Sequence, residues 1–203
     1  MAVKTSDFPA KQKQFNEDLS KGSFKSCYLI YGDEAYLRLQ NRDKIVKALG
    51  GSESSMNFNR YEGDNINPLE VIDMAETMPF LSDKRTILVE NSGFFKSGCP
   101  ELSEYLKASS ESTIIIFVEK EVDKRKDIYK TVSKVGFEID CSTQDDDMLK
   151  RWIASRFANE GKKISPRAQA VLLDRFGADM SNLATEIEKI VCYSIDINEV
   201  TEE

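Results

Sequence analysis

The sequence contains no histidine among its 203 residues. Without an imidazole, the chain has no Ser-His-Asp or Cys-His nucleophile pair, no histidine-containing zinc site and no histidine general base. The commonest routes to hydrolysis at neutral pH are therefore excluded. Any catalysis would have to use carboxylate, lysine, tyrosine or cysteine side chains.

Cysteine is scarce and is spaced without a recognisable pattern. Cys27, Cys99, Cys141 and Cys192 lie 72, 42 and 51 residues apart, and these intervals match no metal-binding or redox motif. We expect small buried or half-buried thiols in a reducing compartment, because free cysteine usually packs as a small apolar residue. Neither a metal nor a cofactor is expected.

Long apolar runs are also missing. The longest, residues 27–31 and 114–118, fall far short of the roughly 20 residues that a membrane helix needs, and the N-terminal segment lacks the apolar core of a signal peptide. We therefore expect a cytoplasmic protein without a membrane partner. The net charge of −7 disfavours autonomous binding to nucleic acid, since such binding depends on a basic surface.

The first two thirds of the chain alternate between strand and helix patterns. A short helix that begins at Ser6-Asp7 precedes the first strand, and five strands are predicted in all. The predicted strands are 24–31, 56–61, 86–90, 113–118 and 137–141, and the helices between them are 34–49, 68–77, 100–107 and 124–135. This order predicts a parallel sheet covered by helices on both faces, with right-handed crossovers.

The alternation stops near Ser142, and the remaining sequence has the helical period. Three apolar stripes predict three amphipathic helices. Their members are Leu149, Trp152, Ile153 and Phe157; Ala168, Val171, Leu172 and Phe176; and Leu183, Ile187, Ile190 and Val191. The sequence thus predicts an α/β domain at 1–142 and a small helical domain at 143–203, joined by the acidic stretch 142–147.

The turn after the first strand lacks a phosphate-binding motif. A nucleotide site there would need Gly-x-x-x-x-Gly-Lys-Ser/Thr or Gly-x-Gly-x-x-Gly, but the sequence has Gly32, Asp33 and Glu34 with no lysine. Two carboxylates at this position would repel a triphosphate. Glu90, at the end of the third strand, and the acids 145–147 are weak metal candidates, which we interpret as a strand end and a helix cap.

Several segments together resemble one known family. Residues 28–37, 57–64 and 77–89, followed in order by 117–125, 163–166 and 177–189, are similar to the delta subunit of the bacterial DNA polymerase III clamp loader. Each segment is only moderately specific, but together they cover nearly the whole chain.

The resemblance implies a degenerate AAA+ module. Such a module has a RecA-like α/β domain and a three-helix lid, here without ATPase function. Ser181 or Asn182 stands where ATP-using relatives carry a nucleotide-sensing arginine. Members of the family also have a C-terminal collar domain, which would begin near Glu203, so we expect two of three domains in this chain.

The resemblance further implies a function in DNA replication. The expected partners are the beta sliding clamp and, for the full-length protein, the gamma/tau and delta-prime subunits, with DNA contacted only within the assembled loader. The subunit would open the clamp ring without hydrolysing ATP itself. Any catalysis would belong to the DNA-directed DNA polymerase, a nucleotidyltransferase holoenzyme.

The family's clamp-binding residues correspond to Met78, Pro79, Phe80 and Leu81. The residues themselves are consistent with this role, since four apolar side chains in a row interrupt a polar loop and Pro79 ends the preceding helix. An exposed aromatic-aliphatic pair suits an apolar cleft on a partner. The alternative is that Phe80 and Leu81 plug the core between helix and strand.

Three further interpretations stay open from the sequence. Lys124, Arg125 and Lys126, like Lys162-Lys163, could face DNA in an assembled loader or form an ordinary solvated surface. The chain could instead be a methyltransferase-like enzyme that binds an adenosyl or nucleotide ligand at residues 32–34. A delta-prime relative is a third interpretation, although the cysteine spacing lacks that family's zinc module.

Overall fold

The computed structural model describes residues 8–51 and 55–202 and divides into two units, Met1–Ser142 and Thr143–Glu203. The first unit contains a five-stranded sheet and the second contains helices with a two-stranded sheet. Ser6 and Asp7, which were expected to begin the first helix, lie outside the described residues. Across the described parts of the chain, no helix has both the length and the apolar composition to cross a membrane.

The first unit alternates strands with helices. Its strands are β1 (Cys27–Tyr31), β2 (Phe58–Glu62), β3 (Arg85–Glu90), β4 (Thr113–Glu119) and β5 (Phe137–Asp140). Its helices are α1 (Phe8–Ser20), α2 (Ala35–Ala48), α3 (Pro68–Glu76), α4 (Phe94–Ser97), α5 (Pro100–Tyr105), a 3₁₀ turn (Leu106–Ala108) and α6 (Asp127–Val135).

The strands pair in the order β2-β3-β4-β1-β5, and every pair is parallel. This confirms the predicted parallel five-stranded sheet with flanking helices. β1 and β4 are neighbours, but the chain leaves them in opposite directions, from β1 to β2 at one side of the sheet and from β4 to β5 at the other. The carboxyl end of β1 is therefore the topological switch point, where α/β proteins usually place a ligand site.

The three central strands, β1, β3 and β4, are buried along their whole length, whereas the edge strands β2 and β5 are only partly buried. Alternate side chains of the central strands face a core formed with α3, α5 and α6. The opposite face packs against α1 and α2. There the Phe15 and Tyr28 rings meet edge to face at 6.1 Å. Burial on both faces explains the continuous apolar runs.

The second unit contains α7 (Asp146–Asn159), α8 (Pro166–Phe176) and α9 (Met180–Tyr193). Asp145, Ser165 and Asp179 cap their N-termini, each by accepting hydrogen bonds from backbone N–H groups of the first turn. The three predicted helices are therefore present. Val171, placed on the apolar stripe of α8, is exposed instead, since α8 buries only a narrow strip.

Two short strands were missed in the second unit. β6 (Lys163–Ile164) and β7 (Glu199–Val200) form a parallel pair. Two-residue strands carry no periodic signal, so the sequence predicted helices alone. Lys162 lies directly before β6, and its Nζ donates a hydrogen bond of 2.9 Å to the carbonyl oxygen of Ile197, two residues before β7. This bond joins the segments that lead into the two strands.

The prediction that all four thiols are buried or half-buried was correct for three. Cys27, Cys99 and Cys141 are buried, and burial raises the pKa of the Cys27 and Cys141 thiols to about 12. Cys192 is exposed near the end of α9, which contradicts the expectation. The two thiols with the highest pKa values are protonated at neutral pH and are poor nucleophiles.

Candidate functional site

The loop between α3 and β3 exposes large apolar side chains at the amino-terminal edge of the sheet. Met78 is 78% exposed, Phe80 56% and Leu81 91%, while Pro79 is half-buried. Phe80 and Leu81 therefore do not plug the core. Contiguous exposed apolar side chains of this size are uncommon on a soluble protein and mark interaction surfaces.

Local sequence explains why this loop, which we call the apolar loop (residues 77–81), leaves the helix. α3 ends at Glu76, and Thr77 adopts an extended backbone. The ring of Pro79 disfavours a helical conformation at the residue before it, Met78, so the helix does not resume. Leu81 then adopts a left-handed conformation with φ of 50°. That conformation is costly for a residue with a side chain, so the surrounding structure must hold it.

Asn57, immediately before β2, binds the backbone of Phe80 through both atoms of its side-chain amide. Its Nδ2 donates to the Phe80 carbonyl oxygen at 2.7 Å, and its Oδ1 accepts from the Phe80 N–H at 2.6 Å. The backbone oxygen of Asn57 also accepts from the Thr86 N–H at 2.8 Å. Asn57 thus links the apolar loop to the start of β3.

Arg85, the first residue of β3, supports the apolar loop from inside. Its side chain is buried, and its guanidinium donates to the carbonyl oxygens of Thr77 at 3.1 Å and Met78 at 3.3 Å. A third donor atom binds Asn59 Oδ1 at 2.7 Å. Arg85 therefore fixes the backbone before Pro79, and Asn57 fixes the backbone after it.

The turn between β1 and α2, residues 32–34, lies at the opposite, carboxyl-terminal edge of the sheet. Gly32 has φ of 130°, and a Cβ placed there would overlap the backbone carbonyl carbon of Cys141. The turn therefore packs directly against the end of β5. Only glycine fits both that backbone conformation and that close approach.

Two backbone donors of the turn, those of Gly32 and Glu34, are used within the protein. The Gly32 N–H donates to the Glu119 carbonyl oxygen at 3.3 Å, and the Glu34 N–H donates to the Cys141 carbonyl oxygen at 2.9 Å. Glu34 itself caps α2 by accepting from the Tyr36 N–H at 3.0 Å. It precedes the helix, so the predicted helix start at residue 34 was one residue too early.

Arg38 closes the same turn from the helix side. Its guanidinium donates to the Gly32 carbonyl oxygen. A phosphate-binding turn needs several N–H groups that point together at an empty space. Here the N–H groups of residues 32 and 34 bind carbonyl oxygens of neighbouring strands, which is the opposite arrangement.

Glu90, the weak metal candidate, is buried at the end of β3 between two arginines. Its carboxylate accepts from Arg42 Nη1 at 2.9 Å and from Arg60 Nε at 2.7 Å. Both carboxylate oxygens are thereby occupied, and the side chain joins α2, β2 and β3. We interpret Glu90 as part of a buried ion network.

Of the other acidic candidates, Asp145 caps α7, whereas Asp146 and Asp147 lie in the first turn of that helix; Asp179 caps α9 in the same way. Asp145 Oδ1 accepts from the Met148 N–H at 2.8 Å, and Asp179 Oδ1 accepts from the N–H groups of Ser181 and Asn182 at 2.9 and 3.0 Å. Ser181 and Asn182 therefore form the first turn of α9. Within residues 8–51 and 55–202, no three histidine, cysteine, aspartate or glutamate side chains gather where they could hold a metal ion.

The basic cluster at residues 124–126 lies in the loop before α6. The predicted helix start at Lys124 was wrong by three residues, because Asp123 forms a turn by accepting from the Arg125 N–H. Lys124 Nζ binds Asp140 Oδ2 at 3.0 Å and lies 5.1 Å from the Tyr31 ring centroid. The Arg125 guanidinium binds both carboxylate oxygens of Asp123, so two of the three cations already have anionic partners.

Sequence reasoning missed Asn57 and Arg85 as parts of the candidate site. Arg85 left a signal, since an arginine stands close before the apolar centre of the strand, residues 87–89. Asn57 left none, because its role depends on the pairing of β2 with β3, which brings residues 23 positions apart into contact.

Comparisons with known proteins agree on one family. The family model described as "DNA polymerase III, delta subunit" matches residues 28–142, more than half of the chain. The DNA polymerase III subunit delta of Bacillus subtilis (strain 168) is 23% identical over an alignment of 198 residues, which covers 91% of this chain and 57% of that protein. The chain therefore spans little more than half of the length of this relative.

Solved structures are similar in fold. The Bacillus subtilis DNA clamp loader delta protein matches with a TM-score of 0.77 at 21% identity, covering 93% of this chain and 59% of that one. A Thermotoga maritima RuvB variant matches with a TM-score of 0.56 at 7% identity, covering 98% and 66%. A DNA polymerase III gamma subunit-related protein from Thermotoga maritima gives 0.51 at 10%, covering 86% and 57%.

Proposed function

The chain belongs to the DNA polymerase III delta subunit family, and from this membership we propose that it is a clamp-loader subunit that binds the beta sliding clamp through the apolar loop. Met78, Phe80 and Leu81 would enter an apolar cleft on the clamp, with Pro79 shaping the loop. The observation that carries the proposal is the exposure of these three side chains on a backbone that Asn57 and Arg85 hold in place.

The chemistry of the loop suits such a partner. Aromatic and aliphatic anchors in a desolvated cleft commonly contribute about 2 kcal/mol or more each to binding. A fixed loop loses little conformational entropy when it docks, so more of that energy appears as affinity.

Clamp opening would follow from binding alone. A closed ring is held by its subunit interfaces, and a ligand that binds the open geometry more tightly shifts the population toward opening by its differential affinity and no more. The delta subunit therefore needs no chemical step of its own to open the ring.

We further propose that this subunit does not hydrolyse ATP. The closed turn at residues 32–34 supports this, because the N–H groups of Gly32 and Glu34 and the Gly32 carbonyl oxygen are bound within the protein. ATP would then be used by other loader subunits, of the gamma/tau type, in an assembly that also contains delta-prime. DNA would be contacted only within that assembly, in the cytoplasm.

The test is a titration of the purified chain with the sliding clamp of the same organism. The double variant Phe80→Ala, Leu81→Ala should bind at least about 100-fold more weakly than the unaltered chain, since it removes two anchors. Circular dichroism and the midpoint of thermal unfolding should be unchanged, because both side chains are exposed.

A matched control is the double variant Leu39→Ala, Leu69→Ala. Both leucines are exposed, 46% and 55%, and they lie on α2 and α3 outside the apolar loop. The control should bind the clamp like the unaltered chain. Near-normal binding by the Phe80 and Leu81 double variant would overturn the proposed site.

A further inference from the structure

We propose that Asn57 is a positioning residue that holds Phe80 in its binding conformation before the clamp arrives. This inference rests on the proposed function, since it assigns a second segment of the chain to the same site. Asn57 immediately precedes β2, whereas the apolar loop precedes β3.

The contact between Asn57 and Phe80 reproduces the pairing of two peptide groups. A side-chain amide carries one carbonyl oxygen and one NH₂ group, and here each binds the complementary backbone group of a single residue. Phe80 therefore has both of its backbone polar groups satisfied, as a residue in a sheet would, although it lies in a loop. Its side chain is free to point toward solvent.

The position of Asn57 is fixed independently of the apolar loop. Its backbone oxygen accepts from the Thr86 N–H, and its own N–H donates to Ser55 Oγ at 3.3 Å. The next residue, Phe58, begins the register with β3. Asn57 is thus held in place by the sheet, and its two hydrogen bonds hold the backbone of Phe80 in place in turn.

The residue after Phe80 shows why such support is needed. Leu81 has φ of 50°, which an unsupported loop would avoid. If the two bonds from Asn57 are lost, the loop can relax to other conformations. The apparent Kd then rises in inverse proportion to the fraction that stays competent to bind.

The experiment compares Asn57→Ala with Asn67→Ala. Asn67 caps α3 by accepting from the Leu69 N–H at 3.1 Å, so its removal also costs one side-chain amide and about 1 kcal/mol of stability, but it lies at the far end of α3 from the apolar loop. We expect Asn57→Ala to weaken clamp binding by about five- to twentyfold through the lowered competent fraction. We expect the clamp affinity of Asn67→Ala to stay within about twofold of that of the unaltered chain, because Asn67 does not contact the apolar loop.

Amide hydrogen exchange supplies a measurement that does not need the clamp. Asn57→Ala should speed exchange at the Phe80 amide and leave the Leu69 amide protected, and Asn67→Ala should do the reverse. A general loss of stability would instead speed exchange at both amides in both variants.

The outcomes separate this inference from the proposed function. Equal clamp affinity for Asn57→Ala and the unaltered chain, or unchanged exchange at Phe80, overturns the positioning role while the loop can still bind the clamp. If the unaltered chain does not bind the clamp, the proposed function fails and the positioning role fails with it, whatever exchange at Phe80 shows.

Discussion

The two edges of the central sheet carry loops with opposite properties. The apolar loop at the amino edge exposes its side chains to solvent. Asn57 and Arg85 hold its backbone by hydrogen bonds. In the turn at the carboxyl edge, residues 32–34, the N–H groups of Gly32 and Glu34 and the Gly32 carbonyl oxygen are instead bound to β4, to the residue after β5 and to α2.

The difference separates two uses of a loop. A surface for a macromolecular partner needs exposed side chains on a rigid backbone, whereas a nucleotide site needs unsatisfied N–H groups around an open space. In this chain the exposed side chains on a rigid backbone occur at the amino ends of the strands, where α/β proteins do not usually place a ligand site. The second arrangement is absent from the described turn at the topological switch point.

The largest effect that would test this difference is expected from Gly32→Ala. The new Cβ would overlap the Cys141 carbonyl carbon, in a backbone region that favours glycine, so we expect a loss of at least about 3 kcal/mol in the free energy of unfolding. Denaturant titration measures it. Clamp affinity of the folded fraction should not change, because the turn lies at the other edge.

Gly63→Ala is the matched control for that variant. Gly63 also has a positive φ, 98°, but no atom lies within 4 Å of a Cβ placed there. Only the backbone strain applies to this variant, so we expect its free energy of unfolding to fall by about 1–2 kcal/mol. Equal losses for Gly32→Ala and Gly63→Ala would mean that the turn is not closed against β5.

An intermediate effect is expected from Glu90→Gln. The change leaves Arg42 and Arg60 without their shared carboxylate, and we expect a loss of about 2 kcal/mol, reduced from the fully buried case because Arg60 is part exposed. The free energy of unfolding measures this loss.

Glu90→Gln also tests whether Glu90 belongs to an ion network or to a magnesium site. Adding Mg²⁺ with ATP should leave the thermal midpoint of the unaltered chain in place, since a ligand stabilises only what it binds. A rise in the midpoint that Glu90→Gln abolishes would support a metal site and contradict the ion network.

The smallest effect is expected at Asp140, beside the closed turn. Burial raises the pKa of this carboxyl, but hydrogen bonds from Ser142 and Lys124 outweigh the burial and leave the pKa below its usual value. The stabilisation is therefore complete above the ordinary aspartate pKa of about 4 and is lost as the pH falls through the lowered value of the folded state.

Asp140→Asn measures that contribution. The carboxylate is part exposed, so solvent screening keeps its contribution below about 1 kcal/mol at pH 7. The difference between the variant and the unaltered chain should shrink toward zero near about pH 2. A difference that does not depend on pH would assign the effect to packing and not to charge.

Periodicity alone predicted most of the fold, because each central strand is apolar on both faces and each long helix has an apolar stripe. β4 is an example: all seven residues from Thr113 to Glu119 are buried, and its run of isoleucines identified it. Elements without such a signal were missed, namely the four-residue helix α4 and the two-residue strands β6 and β7. β6 and β7 form because each completes the other's hydrogen bonds, and α4 packs Phe94 and Phe95 into the core.

The candidate site was predictable in part. The resemblance predicted Met78 to Leu81 as the binding residues, and the apolar run in a polar loop indicated the same residues. Whether Phe80 was buried could not be read from the residues, since an apolar side chain after a helix suits either a core or a surface. The exposed fraction of 56% decides between the two.

The sequence by itself determined the class of fold, the absence of histidine chemistry and the missing phosphate-binding motif, because residue type and local spacing are sufficient for each. Tertiary structure alone decided that the apolar loop is exposed and held rigid, and that the turn at residues 32–34 is closed. Both depend on contacts between distant segments, Asn57 with Phe80 and Gly32 with the end of β5. Such contacts exist only after the strands have paired.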